Sequence, residues 1–175
     1  MPEGNIPKNQ PMPKHTILFI IDALGIGGTE RQLILTAHAL RKRFNVAILC
    51  LSRTPPAKTL PYPGLKVAFV KYSDSPKVYF KRIVSHIRTL SPTVVQSMLG
   101  TSVRIGTLAA AFAHVPAIIT QRGTAEITEE MKTVLTYTRI SNRVSDAIIA
   151  CSHAVKQTII HFEKVSADKI ATIYN

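Results

Sequence analysis

Short unbroken apolar runs alternate along the chain with stretches whose apolar positions recur every third or fourth residue. Residues 17–21 (IleLeuPheIleIle) form the first such run, the pattern of a strand buried on both faces of a parallel sheet. Leu33, Ile34, Ala37, Leu40 and Phe44 then recur at helical spacing, with Thr29 a candidate cap and Glu30 favourable in the first turn. Residues 45–52 predict a second buried strand and 66–71 a short third one, with a proline-rich loop over 53–64 between them. A helix follows from Pro76 through Leu90, its apolar face carried by Phe80, Ile83, Val84, Ile87 and Leu90, and Pro92 ends it. Residues 93–98 predict a fourth strand, 103–113 a helix apolar nearly all round, and 116–121 a fifth strand. Ile127, Met131, Val134, Leu135 and Thr138 line a long helix ending near Ser145. A sixth strand over 146–151, a helix over 154–162 capped by Ser152, and a seventh strand over 169–174 complete the pattern.

Strands alternating with helices imply right-handed βαβ units: an α/β domain with a doubly wound, mainly parallel, Rossmann-like sheet of about seven strands. The domain is expected over 15–175. Residues 1–14, with Pro2, Pro7, Pro11 and Pro13, read as a disordered leader. The closing strand has no helix after it to cover it, so further chain is expected to follow.

Charge adds a constraint. With 22 basic residues against ten acidic ones, the formal net charge is +12, which favours an anionic partner such as lipid headgroups, nucleic acid or a phosphorylated substrate, or else marks a solvated basic surface. The low aromatic content and the lack of Trp suit an aliphatic core better than a platform for stacking bases. Cys50 and Cys151 lie in predicted strands without metal-ligand spacing and read as reduced core residues, which fits a cytoplasmic chain. No run approaches the length of a membrane span, and the first apolar run is too short for a signal peptide. The histidines show no HxxxH or HExxH spacing, so no metal cofactor is expected.

In a sheet of this kind ligands bind beyond the carboxyl ends of the strands, at the switch in strand order. Three loops should converge there: 22–30, 96–101 and 121–124. The first holds Gly25, Gly27 and Gly28, after which helical N–H groups and the positive helix end can cradle an anion. The plainer alternative is a tight turn. A dinucleotide fingerprint fails, because Glu30 stands where its third glycine belongs and Ser52 and Arg53 where its ribose-binding acid belongs. A P-loop and a nucleophile elbow are excluded by their missing motifs.

GlyGlyThrGluArgGln (27–32) after an apolar strand resembles the GGxER signature of the family-four retaining glycosyltransferases. ValValGlnSerMetLeuGly (94–100), the alanine-rich helix ending in HisValPro (114–116), AlaIleIleAlaCysSerHisAlaValLys (147–156) and LysIleAlaThrIleTyrAsn (169–175) resemble later segments of the same N-terminal domain, in order. The resemblance implies one half of a two-domain GT-B architecture: the acceptor-side domain, with the C-terminal donor-binding domain absent. It implies transfer of a sugar from a nucleotide-sugar donor to an acceptor hydroxyl with retention, the acceptor being a glycan or lipid-linked. The nucleotide sugar is a co-substrate rather than a cofactor, and this half alone is expected to be inactive.

On that reading the substrate-binding candidates are Gly27, Gly28, Thr29, Gln96, Ser97, Arg122 and Gly123. Family members often carry His after the fourth strand. Here Gln96 and Met98 stand in those places, and Gln cannot act as a base, so no catalytic residue is assigned. Gln96 could instead brace its loop, and Arg122 could pair with one of the few acids. Lys77, Lys81, Arg82 and Arg88 share the polar face of the helix from Pro76 and are candidates to lie on an anionic membrane, or a solvated face. The rival to the enzyme is a stand-alone α/β module that binds an anionic partner without catalysis. Nucleic acid is disfavoured among such partners, because no RRM, KH or helix-turn-helix signature occurs.

Overall fold

Among the described residues seven strands pair in parallel: β1 (Thr16–Ile21), β2 (Asn45–Cys50), β3 (Lys66–Phe69), β4 (Val94–Met98), β5 (Ala117–Arg122), β6 (Ala147–Ala150) and β7 (Ile170–Thr172). In this computed structural model, which describes residues 15–51, 61–125 and 135–174, their order is β3-β2-β1-β4-β5-β6-β7. The expected leader, most of the proline-rich loop and residues 126–134 of the expected long helix lie outside the described residues. β1 is an interior strand, third of the seven, with β2 on one side and β4 on the other, and Ile17–Ile21 are all buried. That is why its apolar run is continuous rather than alternating.

The helices are α1 (Gly28–Leu40), α2 (Pro76–Leu90), α3 (Thr107–Phe112), α4 (Leu135–Val144) and α5 (His153–Thr158). A π turn, Ser102–Gly106, leads into α3, and another, Ile159–Glu163, continues α5. Leu33 and Ala37 of α1 pack on Ile17, Phe19, Ile21 and Ile48. Ile83 and Ile87 of α2 and Ala109 and Ala110 of α3 pack on the other face, against Leu18, Ile20, Val95 and Ile118. Val155 and Ile159 cover Ile148, which the register places on the same face as Ile118. The sheet is therefore doubly wound, and among the described residues α1 is the one helix on its side.

α2 spans the predicted residues because its signals agree. Ser75 Oγ accepts from the Val78 amide at 3.5 Å, Pro76 opens the first turn, and Ser91 closes the helix at φ 47° before Pro92. Tyr79 joins the predicted apolar face, buried, its hydroxyl donating to the Leu51 carbonyl at 2.5 Å. Ser152 caps α5 as expected, accepting from the Val155 amide at 3.2 Å. The cap expected at Thr29 is corrected: Gly27 is the N-cap of α1, no side chain caps it, and Thr29 lies inside the first turn.

Of the four predicted membrane-facing cations, Lys77 and Lys81 are exposed. Arg82 is half-buried and donates to the carbonyls of Lys71 and Tyr72 at 2.8 and 2.9 Å. Arg88 donates to the Phe112 carbonyl at 3.3 Å and lies over the Phe112 ring, 5.4 Å from its centroid. Both cysteines are free; Cys50 is buried, and Cys151, just past β6, is half-buried. Among the described residues no helix is long and apolar enough to cross a membrane.

Candidate active site

β1 and β4 are neighbours whose chains leave toward opposite edges of the sheet, which opens a crevice at their carboxyl ends. Asp22, one residue past β1, reaches across it. Its carboxylate accepts from the backbone amides of Thr101 at 2.8 Å and Ser102 at 2.5 Å. The start of the helical segment after β4 is thus capped from the neighbouring strand, and its positive end is already matched by an acid. Leu99, at the crossover, holds φ 72°, a left-handed conformation uncommon for a leucine.

The start of α1 differs. Gly27 is extended (φ −152°, ψ 169°), and nothing lies within 4 Å of where a Cβ on Gly28 would stand. The Glu30 carboxylate folds back along the glycine loop: a Cβ on Gly25 would lie 3.7 Å from Oε1, and one on Gly27 would collide with the carboxylate. A side chain at Gly27 would displace the Glu30 carboxylate, the far end of a flexible side chain. Gly28 leaves the helix start open to an approaching group.

The expected convergence of loops is present. A Cβ on Gly123 would lie 3.5 Å from Thr29 Oγ1, so the loop after β5 abuts the start of α1. Thr29, Gly123 and Arg122 line one pocket of about 290 Å3, walled by Leu99, Leu135 and Phe162. A second pocket, of about 390 Å3, lies across the Thr101–Ile105 segment and is lined by Asp22, Tyr72, Asp74 and Tyr79.

Three other candidates are placed as follows. Gln96 donates to Gln121 Oε1 at 2.7 Å, and Gln121 donates to Gln32 Oε1 at 2.8 Å, an amide ladder joining β4, β5 and α1. This is the bracing alternative, and Gln121, not Gln96, reaches the pocket wall. Ser97 is corrected: it is fully buried, and its hydroxyl finds no partner. Neighbours on a strand point to opposite faces, so Ser97 is turned away from Gln96 and lies beneath Gly106. It does not line either of these pockets.

Arg122 takes the other alternative weighed for it. Nε and Nη2 donate to the Glu163 carboxylate, each at 3.2 Å, and Nη2 donates to Asn142 Oδ1 at 2.7 Å. Asn142 in turn donates to Glu163 Oε2 at 2.7 Å. The ion pair is nearly sealed from solvent, with the side chains 11% and 3% exposed. Nη1 is buried with no partner. Its charge is matched internally, so Arg122 shapes the pocket floor rather than standing as a free cation.

Glu163, Asn142 and Arg104 are the residues that sequence reasoning missed. Arg104, half-buried on the pocket wall, is the one cation in a helix that otherwise reads as apolar, and that exception was its signal. Glu163 and Asn142 carried none, since they meet Arg122 only through tertiary packing.

The fold has many counterparts among solved structures. A lipopolysaccharide outer core galactosyltransferase in its apo form superposes with a TM-score of 0.71 at 18% identity, over 91% of this chain and 45% of that one. Anabaena HepE in complex with UDP gives 0.70 at 19% identity, over 91% and 44%. A glycosyltransferase from Rickettsia africae gives 0.70 at 23% identity, over 93% and 43%. The chain thus spans less than half the length of these proteins and has the Rossmann-like fold of a GT-B half-domain. No curated protein sequence matches it. The sequence pattern of Glycosyltransferase Family 4, however, matches residues 26–175, from the glycine loop to the last residue, and the chain belongs to that family.

Proposed function

We propose that this chain is the acceptor-side domain of a transferase that moves a sugar from a nucleotide-activated donor to an acceptor hydroxyl, with retention. The observation that carries the reading is the start of α1, without a side-chain cap at Gly27 and open at Gly28, facing the crevice between β1 and β4 in a family-four chain. Charge builds on the leaving pyrophosphate as the sugar departs, and oriented N–H groups at a helix start are suited to meet it. HepE binds UDP and UDP-glucose, which supports a uridine-linked hexose as the first donor to try. The chain's share of its structural neighbours supports a donor-binding half beyond this one, so this half alone turns over no donor. No catalytic residue is assigned on this half. Donor screening of the chain extended through its second half, read by product mass and by the anomeric proton of the product, tests the proposal. Failure to bind every nucleotide sugar would overturn it, and an inverted product would overturn retention.

A second reading concerns where the acceptor is met. Phe112 is 59% exposed beside Arg88, and Lys77 and Lys81 are exposed on α2. An aromatic ring among cations suits the headgroup region of an anionic bilayer, where each cation contributes about 1 kcal/mol. The domain would then act on the cytoplasmic face of the membrane, on a lipid-linked acceptor. Co-sedimentation with anionic vesicles, abolished by Lys77→Glu with Lys81→Glu, supports this; binding unchanged in that variant removes it.

A further inference from the structure

We propose that Glu30 is a specificity-determining residue of the transfer, its carboxylate accepting hydrogen bonds from two neighbouring hydroxyls of the sugar on the donor phosphate. The inference rests on the transferase reading of the start of α1 and adds the group that reads the sugar there.

Glu30 lies in the first turn of α1, and its side chain folds back over the glycine loop. Oε1 stands 3.7 Å from the Cβ position of Gly25 and 3.3 Å from that of Gly27, so the carboxylate takes the space that two missing side chains leave. An acid at this position of a helix commonly bonds back to the amide of the capping residue, here Gly27. Glu30 makes no such bond, and among the described residues it has neither a hydrogen bond nor an ion pair. Two other acids of the crevice and its pocket differ. Asp22 accepts from the Thr101 and Ser102 amides, and Glu163 holds Arg122 and Asn142. Of these three carboxylates, Glu30 keeps both oxygens open.

A carboxylate only accepts hydrogen bonds. Beside a diphosphate it is repelled, so its place there is favourable only if the same ligand brings hydroxyl donors to it. A sugar joined to the phosphate does so, and two neighbouring hydroxyls match the two oxygens of one carboxylate. Hydrogen bonds to a charged acceptor are roughly twice as strong as neutral ones. The free diphosphate left after transfer meets the repulsion without those hydroxyls. Glu30 thus favours the intact donor over the spent one, a distinction that the helix-start amides, which see phosphate in both, do not make.

Calorimetric titration of the chain extended through its second half with UDP-glucose and with UDP tests the inference, repeated with whichever nucleotide sugar the donor screen retains. Glu30→Ala should weaken the nucleotide sugar about tenfold and leave the diphosphate bound as tightly as by the parent, or more tightly. Glu30→Gln, which keeps one acceptor oxygen, should fall between. Donors lacking one hexose hydroxyl at a time identify the pair. For those the parent should already have lost affinity, and Glu30→Ala should lose little more. The inference is overturned if Glu30→Ala weakens the diphosphate as much as the nucleotide sugar, the result of a contact to the ribose or of a role in the helix start alone. Circular dichroism of each variant verifies its fold. Nucleotide sugars that bind the parent and Glu30→Ala alike would sink this inference and leave the transferase reading standing, whereas failure of all of them to bind the parent would sink both.

Discussion

Asp22 at the end of β1 holds the amide of Thr101, on the far side of the crevice, at 2.8 Å. The same carboxylate takes the Ser102 amide, and these bonds join the two central strands at the point where the sheet changes direction. They also fix the segment that separates the two pockets. Asp22→Ala removes two charge-assisted bonds and is expected to cost about 2–3 kcal/mol in urea unfolding, while Asp22→Asn, which keeps an acceptor, loses less. A variant as stable as the parent would show that water replaces the carboxylate without loss.

The Arg122–Glu163 pair behaves as a unit. Glu163→Ala leaves a buried guanidinium without its counter-charge and is expected to destabilise by roughly 3–5 kcal/mol. Arg122→Met with Glu163→Leu should lose less than the two single changes summed, because neither charge is then stranded. Thermal unfolding of the four proteins gives the coupling directly. Strict additivity would mean that the pair is solvated in solution.

The elements were legible because the periods were clean and the stop signals strong. β1 was a continuous apolar run, and α2 lay between Ser75 and Pro92. The start of α1 was misread because Thr is the commoner capping side chain, whereas here Gly27 occupies the cap with its backbone alone. The burial of Ser97 follows from the alternation of the strand. A strand that turns Gln96 toward one face must turn Ser97 toward the other, so both could not serve the same cleft. Glu163 was not legible at all: it stands 41 positions from Arg122, and no local pattern links an arginine after one strand to an acid ending a distant helix. The site was thus readable where it rests on backbone turns and unreadable where it rests on packing between helices.

Ser97 gives a test of that correction. Its hydroxyl is buried without a partner, so Ser97→Ala removes a group whose desolvation costs about 1–3 kcal/mol when unmatched. The variant is expected to be as stable as the parent or more so, by urea unfolding, and to leave donor affinity in the extended protein unchanged. A loss of donor affinity with the fold intact would return Ser97 to the site.

The two helix-start glycines should separate stability from activity. A methyl at Gly28 meets nothing within 4 Å, and Ala is a better helix former than Gly, so Gly28→Ala should gain from a few tenths to about 1 kcal/mol of stability. The same methyl stands in the open space through which an anion would reach the start of α1, so sugar transfer by the extended protein should fall. Gly27→Ala acts by another route. Its φ of −152° suits any residue, so the backbone is not strained, but the new methyl drives the Glu30 carboxylate off the glycine loop. Stability should change little, while transfer falls because the displaced carboxylate would crowd the open helix start where the donor is proposed to lie. Steady-state rates and unfolding curves measured on the same preparations decide the matter. Gly28→Ala with raised stability and full activity would mean that the helix start never meets the donor, and the proposed chemistry would have to be sought in the second pocket.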